Sequence, residues 1–362
     1  MNILYTNFHT AKGGGHTTYV LALLQNPEHN KYVACPPTSL LYQTLEKQGY
    51  DKLIPFYFPS KFVSEFGKTL AAAKQFRDIV EKYDIDIVHN SGSADSRITL
   101  YSSWLAPKKF KVVYTKHNTH KVKGLISNWR FKRFNDAVIF VTEAIFDLIG
   151  LPNDQSNYFV VENCIDTDFW KRQTPLQTGE HLTLVSNAGT TLRKGWTYLA
   201  EAIALLDERK KKRLSVVVLG RNEDAIKGEM EKARELCDIE FPGFMLDSRT
   251  CLEKGDIGFI LSYAGEACSF ASREMMSMGL PMLGSNYSGH VKNIDPSTGW
   301  LTEPRDPSSI ASALRKILAM SPEELTQMKR NAREKAERRF NIPVMLEETN
   351  AVYGFVMGKR RA

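Results

Sequence analysis

The chain has 362 residues, 48 Lys and Arg against 41 Asp and Glu, and a formal net charge of +7. A hydrophobic fraction of 43% is enough for two ordinary cores and excludes a disordered or low-complexity chain. No apolar run reaches bilayer length, and five scattered cysteines (Cys35, Cys164, Cys237, Cys251, Cys268) have neither metal nor redox spacing, so a reduced, cytoplasmic protein is expected.

Taken in order, short apolar runs alternate with helical patterns. The first run, residues 2–5, lacks the charged-then-apolar profile of a secretion signal and reads as a strand. Gly13-Gly14-Gly15-His16 follows and opens a helix over 16–24. Glycine lets backbone approach a ligand closely, although such a run also serves as a plain turn. Strands are expected at 32–35, 85–89, 111–114, 137–141 and 158–161, with helices at 68–82 and 143–149. His117 stands just past the strand at 111–114. His120, three residues on, makes a metal pair conceivable, but no third ligand is in sight.

Residues 96–135 contain no acid. They carry Arg97, Lys108, Lys109, Lys111, Lys116, Lys121, Lys123, Arg130, Lys132 and Arg133, with Leu125, Ile126, Trp129, Phe131 and Phe134 interleaved. A solvated basic face is the first reading. The second is a peripheral patch for an anionic membrane surface, with aromatic residues at the interface. No nucleic-acid module is present, so nucleic-acid binding ranks last.

After a polar stretch at 171–180 the rhythm restarts. Strands are expected at 182–186, 214–219, 240–241, 257–261 and 281–284, and helices at 196–207, 225–237, 270–278, 307–320 and 322–338. An apolar helical pattern at 343–357 closes the chain. Alternating βαβ units imply an α/β protein with two doubly wound parallel sheets. Open parallel sheets bind ligands beyond the carboxyl ends of their strands. Gly13–Gly15, His117 and Glu266 each fall at such an end.

The segment Glu266-Ala-Cys-Ser-Phe-Ala-Ser-Arg-Glu274 joins a strand to a helix that starts near Ser269 and stops at Gly279. The first helical N–H groups have no internal partners and form an anion site. One carboxylate precedes it and one lies about a turn inside. Diphosphate on the amides and hydroxyls on the carboxylates describe a nucleotide sugar. Two glutamates near a helix start also occur simply because acids favour the helix dipole. Arg193-Lys194, in the loop after 182–186, can neutralise a departing diphosphate, or form only a solvated turn. Asp166-Thr167-Asp168 has an Asp-x-Asp form found at metal sites, but as a three-residue pattern it is weak and its setting reads as structural.

These segments resemble the retaining GT-B glycosyltransferases of family 4. The resemblance rests on Glu266-x7-Glu274 with Gly279-Leu280-Pro281 behind it, on the early glycine run and on Thr115-Lys116-His117-Asn118. It also rests on Asn163-Cys164-Ile165-Asp166 followed by Phe169-Trp170, on Lys194-Gly195, and on Gly289, Thr298-Gly299 and Asp306. It implies two Rossmann-like domains facing across a cleft: residues 1–170 with a returning helix at 343–362, and a donor domain at 171–342. It further implies catalytic roles for Glu266 and His117, and diphosphate contacts from Arg193, Lys194, Ser269, Phe270 and Gly15. Glu274 would take the ribose, and Phe244 would lie near the base. No essential metal and no cofactor are expected. The partners would be a UDP-, GDP- or ADP-linked sugar and a glycan or lipid-linked acceptor of bacterial surface polysaccharide, at the cytoplasmic face of the membrane. Two departures stand out. Thr190 occupies the place of a family arginine, and Ala267-Cys268-Ser269-Phe270 replaces a Gly-Phe-Gly turn. A GT-B sugar epimerase and a non-catalytic glycan- or lipid-binding relative are the alternatives.

Overall fold

The computed structural model describes residues 1–10, 14–59, 66–149, 156–176, 179–265, 267–287 and 289–358. The chain divides into two compact units, one of Met1–Glu162 with Met345–Ala362 and one of Asn163–Val344.

The first unit has seven strands: β1 (Asn2–Thr6), β2 (Asn30–Cys35), β3 (Leu53–Pro55), β4 (Ile87–Asn90), β5 (Lys111–Lys116), β6 (Ala137–Phe140) and β7 (Tyr158–Val160). Between them run α1 (Gly15–Leu23), α2 (Leu40–Lys47), α3 (Phe66–Lys82), α4 (Ser93–Leu105), α5 (Leu125–Trp129), a π-helical turn (Arg130–Phe134) and α6 (Ala144–Ile149). All strand pairs are parallel, in the order β3-β2-β1-β4-β5-β6-β7. The order reverses between β1 and β4, which is where open sheets bind ligands. Leu4, Ala34, Val88 and Val112 bury one face of the sheet against Phe76, Ile79 and Val80 of α3 and Ile98 of α4.

The second unit contains β8 (Leu182–Ser186), β9 (Leu214–Leu219), β10 (Ile239–Gly243), β11 (Ile257–Ile260), β12 (Met282–Ser285) and β13 (Gly299–Thr302). Its helices are α7 (Trp196–Ala204), α8 (Glu208–Lys211), α9 (Lys227–Leu236), α10 (Arg249–Leu252), α11 (Phe270–Ser277), α12 (His290–Asn293), α13 (Pro307–Ala319) and α14 (Pro322–Arg339). Its parallel order is β10-β9-β8-β11-β12-β13, with the switch between β8 and β11. Strand alternation sends Leu182 and Leu184 to α7 and α13, and Val185 to the opposite face with Met275, Ala332 and Phe340. Asp256 ties the two layers together. Its carboxylate accepts from buried Lys329 Nζ of α14 at 2.7 Å and from the Thr183 amide at 2.9 Å.

Helix α15 (Ile342–Gly358) begins in the second unit, and from Met345 on it belongs to the first. Its Asn350 Oδ1 accepts from Asn26 Nδ2 at 2.7 Å. The Tyr353 hydroxyl lies 2.7 Å from His89 Nδ1, at the end of β4.

Candidate active site

In the second unit the site grows from the ends of β8 and β11. Asn187 follows β8 directly, and its Nδ2 donates to Glu274 Oε2 at 2.6 Å. The same amide reaches Ser248 Oγ, at the start of α10, at 3.4 Å. Glu274 is on the second turn of α11, whose first residue is capped by Ser269; the Ser269 hydroxyl accepts from the Ser272 amide. Burial pushes the Glu274 carboxyl up to about 7, and the Asn187 hydrogen bond opposes that rise. One oxygen of this carboxylate is held by a neutral donor, and its remaining acceptor capacity suits a diol.

Cations are carried by loops at the same carboxyl edge of this sheet. A 3₁₀ turn, Leu192–Lys194, is pinned to the end of β11 by Leu261 N–H to Lys194 O and Tyr263 N–H to Arg193 O, both 3.2 Å. Gly195 ends that turn with φ 76°, and a Cβ there would strike the Leu261 carbonyl. Only glycine meets both conditions. The Arg193 guanidinium packs over Gly265, where any side chain would displace it. Phe270 and Ala271 begin α11, so their amides precede the first intrahelical bond and suit an anion. Two further arginines lie along this edge. Arg221 follows β9 and sits 5.7 Å from the centre of the Phe244 ring, which is 61% exposed just past β10. Arg305 stacks on Tyr263 at 4.1 Å. Glu266 and Gly13 lie outside the described residues.

In the first unit, α1 begins at Gly15, after Gly14 with φ 130°. Its first turn places His16 between His9 and His117, with ring centroids 4.0 and 4.3 Å away. Tyr19 meets the His117 ring edge-on at 4.7 Å. Burial and the neighbouring imidazoles hold His117 well below the usual histidine range, so it is neutral near pH 7. Its Nε2 is buried with no hydrogen-bond partner among the described residues.

Two family models match this chain in succession: "Glycosyltransferase Family 4" over residues 13–169 and "Glycosyl transferases group 1" over 166–335. The chain belongs to the GT-B glycosyltransferases of family 4. WcaL of Escherichia coli, whose name places it in colanic acid biosynthesis, is 27% identical over 176 residues; the match spans 46% of this chain and 43% of WcaL. A glycosyltransferase of Rickettsia africae superposes with a TM-score of 0.83 at 18% identity, covering 99% of each chain. HepE of Anabaena, crystallised with UDP and glucose, gives 0.77 at 16% identity over 97% of this chain and 99% of its own.

Several family segments act structurally here. Asn163 Nδ2 donates to the Cys268 carbonyl at 3.3 Å, and the Asp166 carboxylate accepts from the amides of Asp168 and Phe169. The Ala267-Cys268 departure from the GT-B pattern is therefore packed inward, and Cys268 is buried. Thr190, which replaces a family arginine, is also buried; its hydroxyl donates to the Arg221 carbonyl and its own carbonyl accepts from Trp196 Nε1. Asn187, Ser248, Arg221 and Arg305 were missed by sequence reasoning. Asn187 had the only local signal, a polar residue immediately after a switch-point strand.

Proposed function

We propose that the chain is a retaining, metal-independent glycosyltransferase that moves a sugar from a nucleotide-sugar donor to a glycan or lipid-linked acceptor of a bacterial surface polysaccharide. The observation that carries this is the Glu274–Asn187 pair at the β8/β11 switch point, with Arg193 on the adjoining loop. In this reading Glu274 accepts from the ribose hydroxyls, while Arg193, Lys194 and the amides opening α11 hold the diphosphate. Phe244 and Arg221 stand near the base, and Glu266 orients the transferred sugar. His117 approaches the sugar as a neutral group, and Gly15 approaches the phosphate. The bond from the anomeric carbon to the phosphate oxygen breaks with its electron pair on the diphosphate. The acceptor oxygen bonds to the same face of that carbon, and its proton passes to the departing phosphate oxygen. Developing negative charge is met by fixed cations and amides.

HepE binds UDP and glucose, and WcaL is named for polysaccharide synthesis; both support the donor and pathway class. Leu125 is 90% and Ile126 73% exposed on α5, beside exposed Lys121 and Lys123, which supports a peripheral site at the cytoplasmic membrane face. Among the described residues no helix is long and apolar enough to cross a membrane. The test is NMR of the products from UDP-, GDP- and ADP-sugars incubated with enzyme in EDTA. Release of sugar or glycoside with the donor's anomeric configuration, abolished by Glu266→Ala, is expected. Inversion at the anomeric carbon, or dependence on added metal, would refute the mechanism.

A further inference from the structure

A cavity of about 290 Å³ opens at the carboxyl edge of the first sheet, walled by the loops after β1, β4 and β5, the start of α4 and the π-helical turn. Arg97, Lys116, His120, Lys121, Lys123 and Arg130 line it, and no carboxylate does among the described residues. Two of these cations are nearly fully enclosed. Lys116 is 4% and Arg130 8% exposed. Among the described residues Lys116 Nζ donates only to neutral oxygens, Asn118 Oδ1 at 2.5 Å and the His120 carbonyl at 2.7 Å. Burial brings its ammonium down to about 8. No hydrogen bond or ion pair engages the Arg130 guanidinium among the described residues. Burial and Arg97 depress its pKa, and Tyr114, Asp95 and Tyr101 offset that only in part. Asp95 is committed elsewhere, accepting from Thr6 Oγ1 at 2.7 Å and from the Ser91 and Ser96 amides.

Burying a cation without a counter-charge destabilises a fold. Two buried cations on one cavity wall, neither paired with a carboxylate among the described residues, form an arrangement that an entering anion relieves. The planar fork of Arg130 suits two oxygens of one oxyanion, and Lys116 adds a point charge. The volume is at the small end for ligand cavities, so it fits one sugar unit with its charged group.

We propose that this cavity binds an oxyanion carried on the acceptor sugar, a phosphate or a carboxylate, and so selects acidic acceptors. This rests on the glycosyltransferase reading for the word acceptor, but the oxyanion site stands on the first unit alone. The experiment titrates glucose 6-phosphate, glucuronate and glucose into the full chain by calorimetry. At least one acidic sugar is expected to bind roughly tenfold more tightly than glucose, more weakly as salt rises, and roughly tenfold more weakly in Arg130→Gln and Lys116→Met, the loss expected for one charge-assisted hydrogen bond. Preference between the two acids identifies the group. Thermal melting reports whether each variant folds; if either does not, Arg97→Gln and Lys123→Gln carry the same expectation. Equal binding of glucose, no binding of either acid, or folded variants that bind like wild type would overturn the proposal. Nucleotide sugars titrated in parallel separate the two readings, because their failure removes the transferase while leaving the oxyanion site intact.

Discussion

Glu274→Gln should make the protein more stable and its donor site worse. Burial raises the Glu274 carboxyl from an ordinary value of 4.5 to about 7 in the folded chain. A group with a raised folded-state pKa is protonated in the native state while already ionised in the unfolded one. Between these two values the native state binds the extra proton, so this carboxyl's contribution to stability falls as pH rises from about 4.5 to about 7, then levels off. At 1.36 kcal/mol per unit the full penalty is roughly 3 kcal/mol above pH 7. Glutamine keeps an oxygen for the 2.6 Å bond from Asn187 and carries no charge, so it removes that penalty. For a unit of this size, roughly 2–4 °C per kcal/mol gives a rise in Tm of about 6–12 °C at pH 8 and almost none at pH 4.5. Melting of both proteins across pH 4.5–8.5 measures it. Nucleotide affinity should fall about tenfold in the variant at pH 8, since the diol loses a charged acceptor. A Tm difference independent of pH, or a variant less stable at pH 8, would refute the reasoning.

Asn187→Ala removes a hydrogen bond that lowers the Glu274 pKa, so the pH midpoint for nucleotide binding should move upward, with a loss of about 1.5–3 kcal/mol in affinity at pH 7; an unmoved midpoint in a binding titration speaks against the pair. Gly195→Ala forces a side chain into φ 76° and against the Leu261 carbonyl, and should destabilise the second unit by at least about 1–2 kcal/mol, read as an earlier melt. Asp256→Ala removes the carboxylate that buried Lys329 donates to at 2.7 Å and should cost about 3–5 kcal/mol in denaturant unfolding. Full-length protein should float with anionic vesicles and lose that binding in Leu125→Asp, Ile126→Asp; salt-insensitive or absent flotation argues against the patch.

The parallel framework was legible because buried strands leave uninterrupted apolar runs, and β8 and β9 have the expected limits, 182–186 and 214–219. Both strands that escaped notice are at sheet edges. β3 is three residues long and includes Pro55, and β13 starts with Gly299; neither needs a long apolar run. Helix α4 escaped for a different reason: it buries Ser96, Thr99, Ser102 and Ser103 beside its apolar residues, which erases the helical period. In the site, Glu274 was visible through the helix start, whereas Asn187 meets it across 87 residues. The basic stretch at 96–135 read as surface, yet the fold turns Lys116 and Arg130 inward while leaving Leu125 and Ile126 exposed. Composition gives the charge of a segment; only the tertiary fold sorts it into wall and surface.

The most direct test is a calorimetric titration of UDP-, GDP- and ADP-sugars into wild type, Glu274→Gln and Asn187→Ala. One nucleotide class should bind wild type, and both variants should lose roughly tenfold or more in affinity while remaining folded. Binding of none of the three to wild type, or equal affinity in all three proteins, would contradict a donor site built on Glu274.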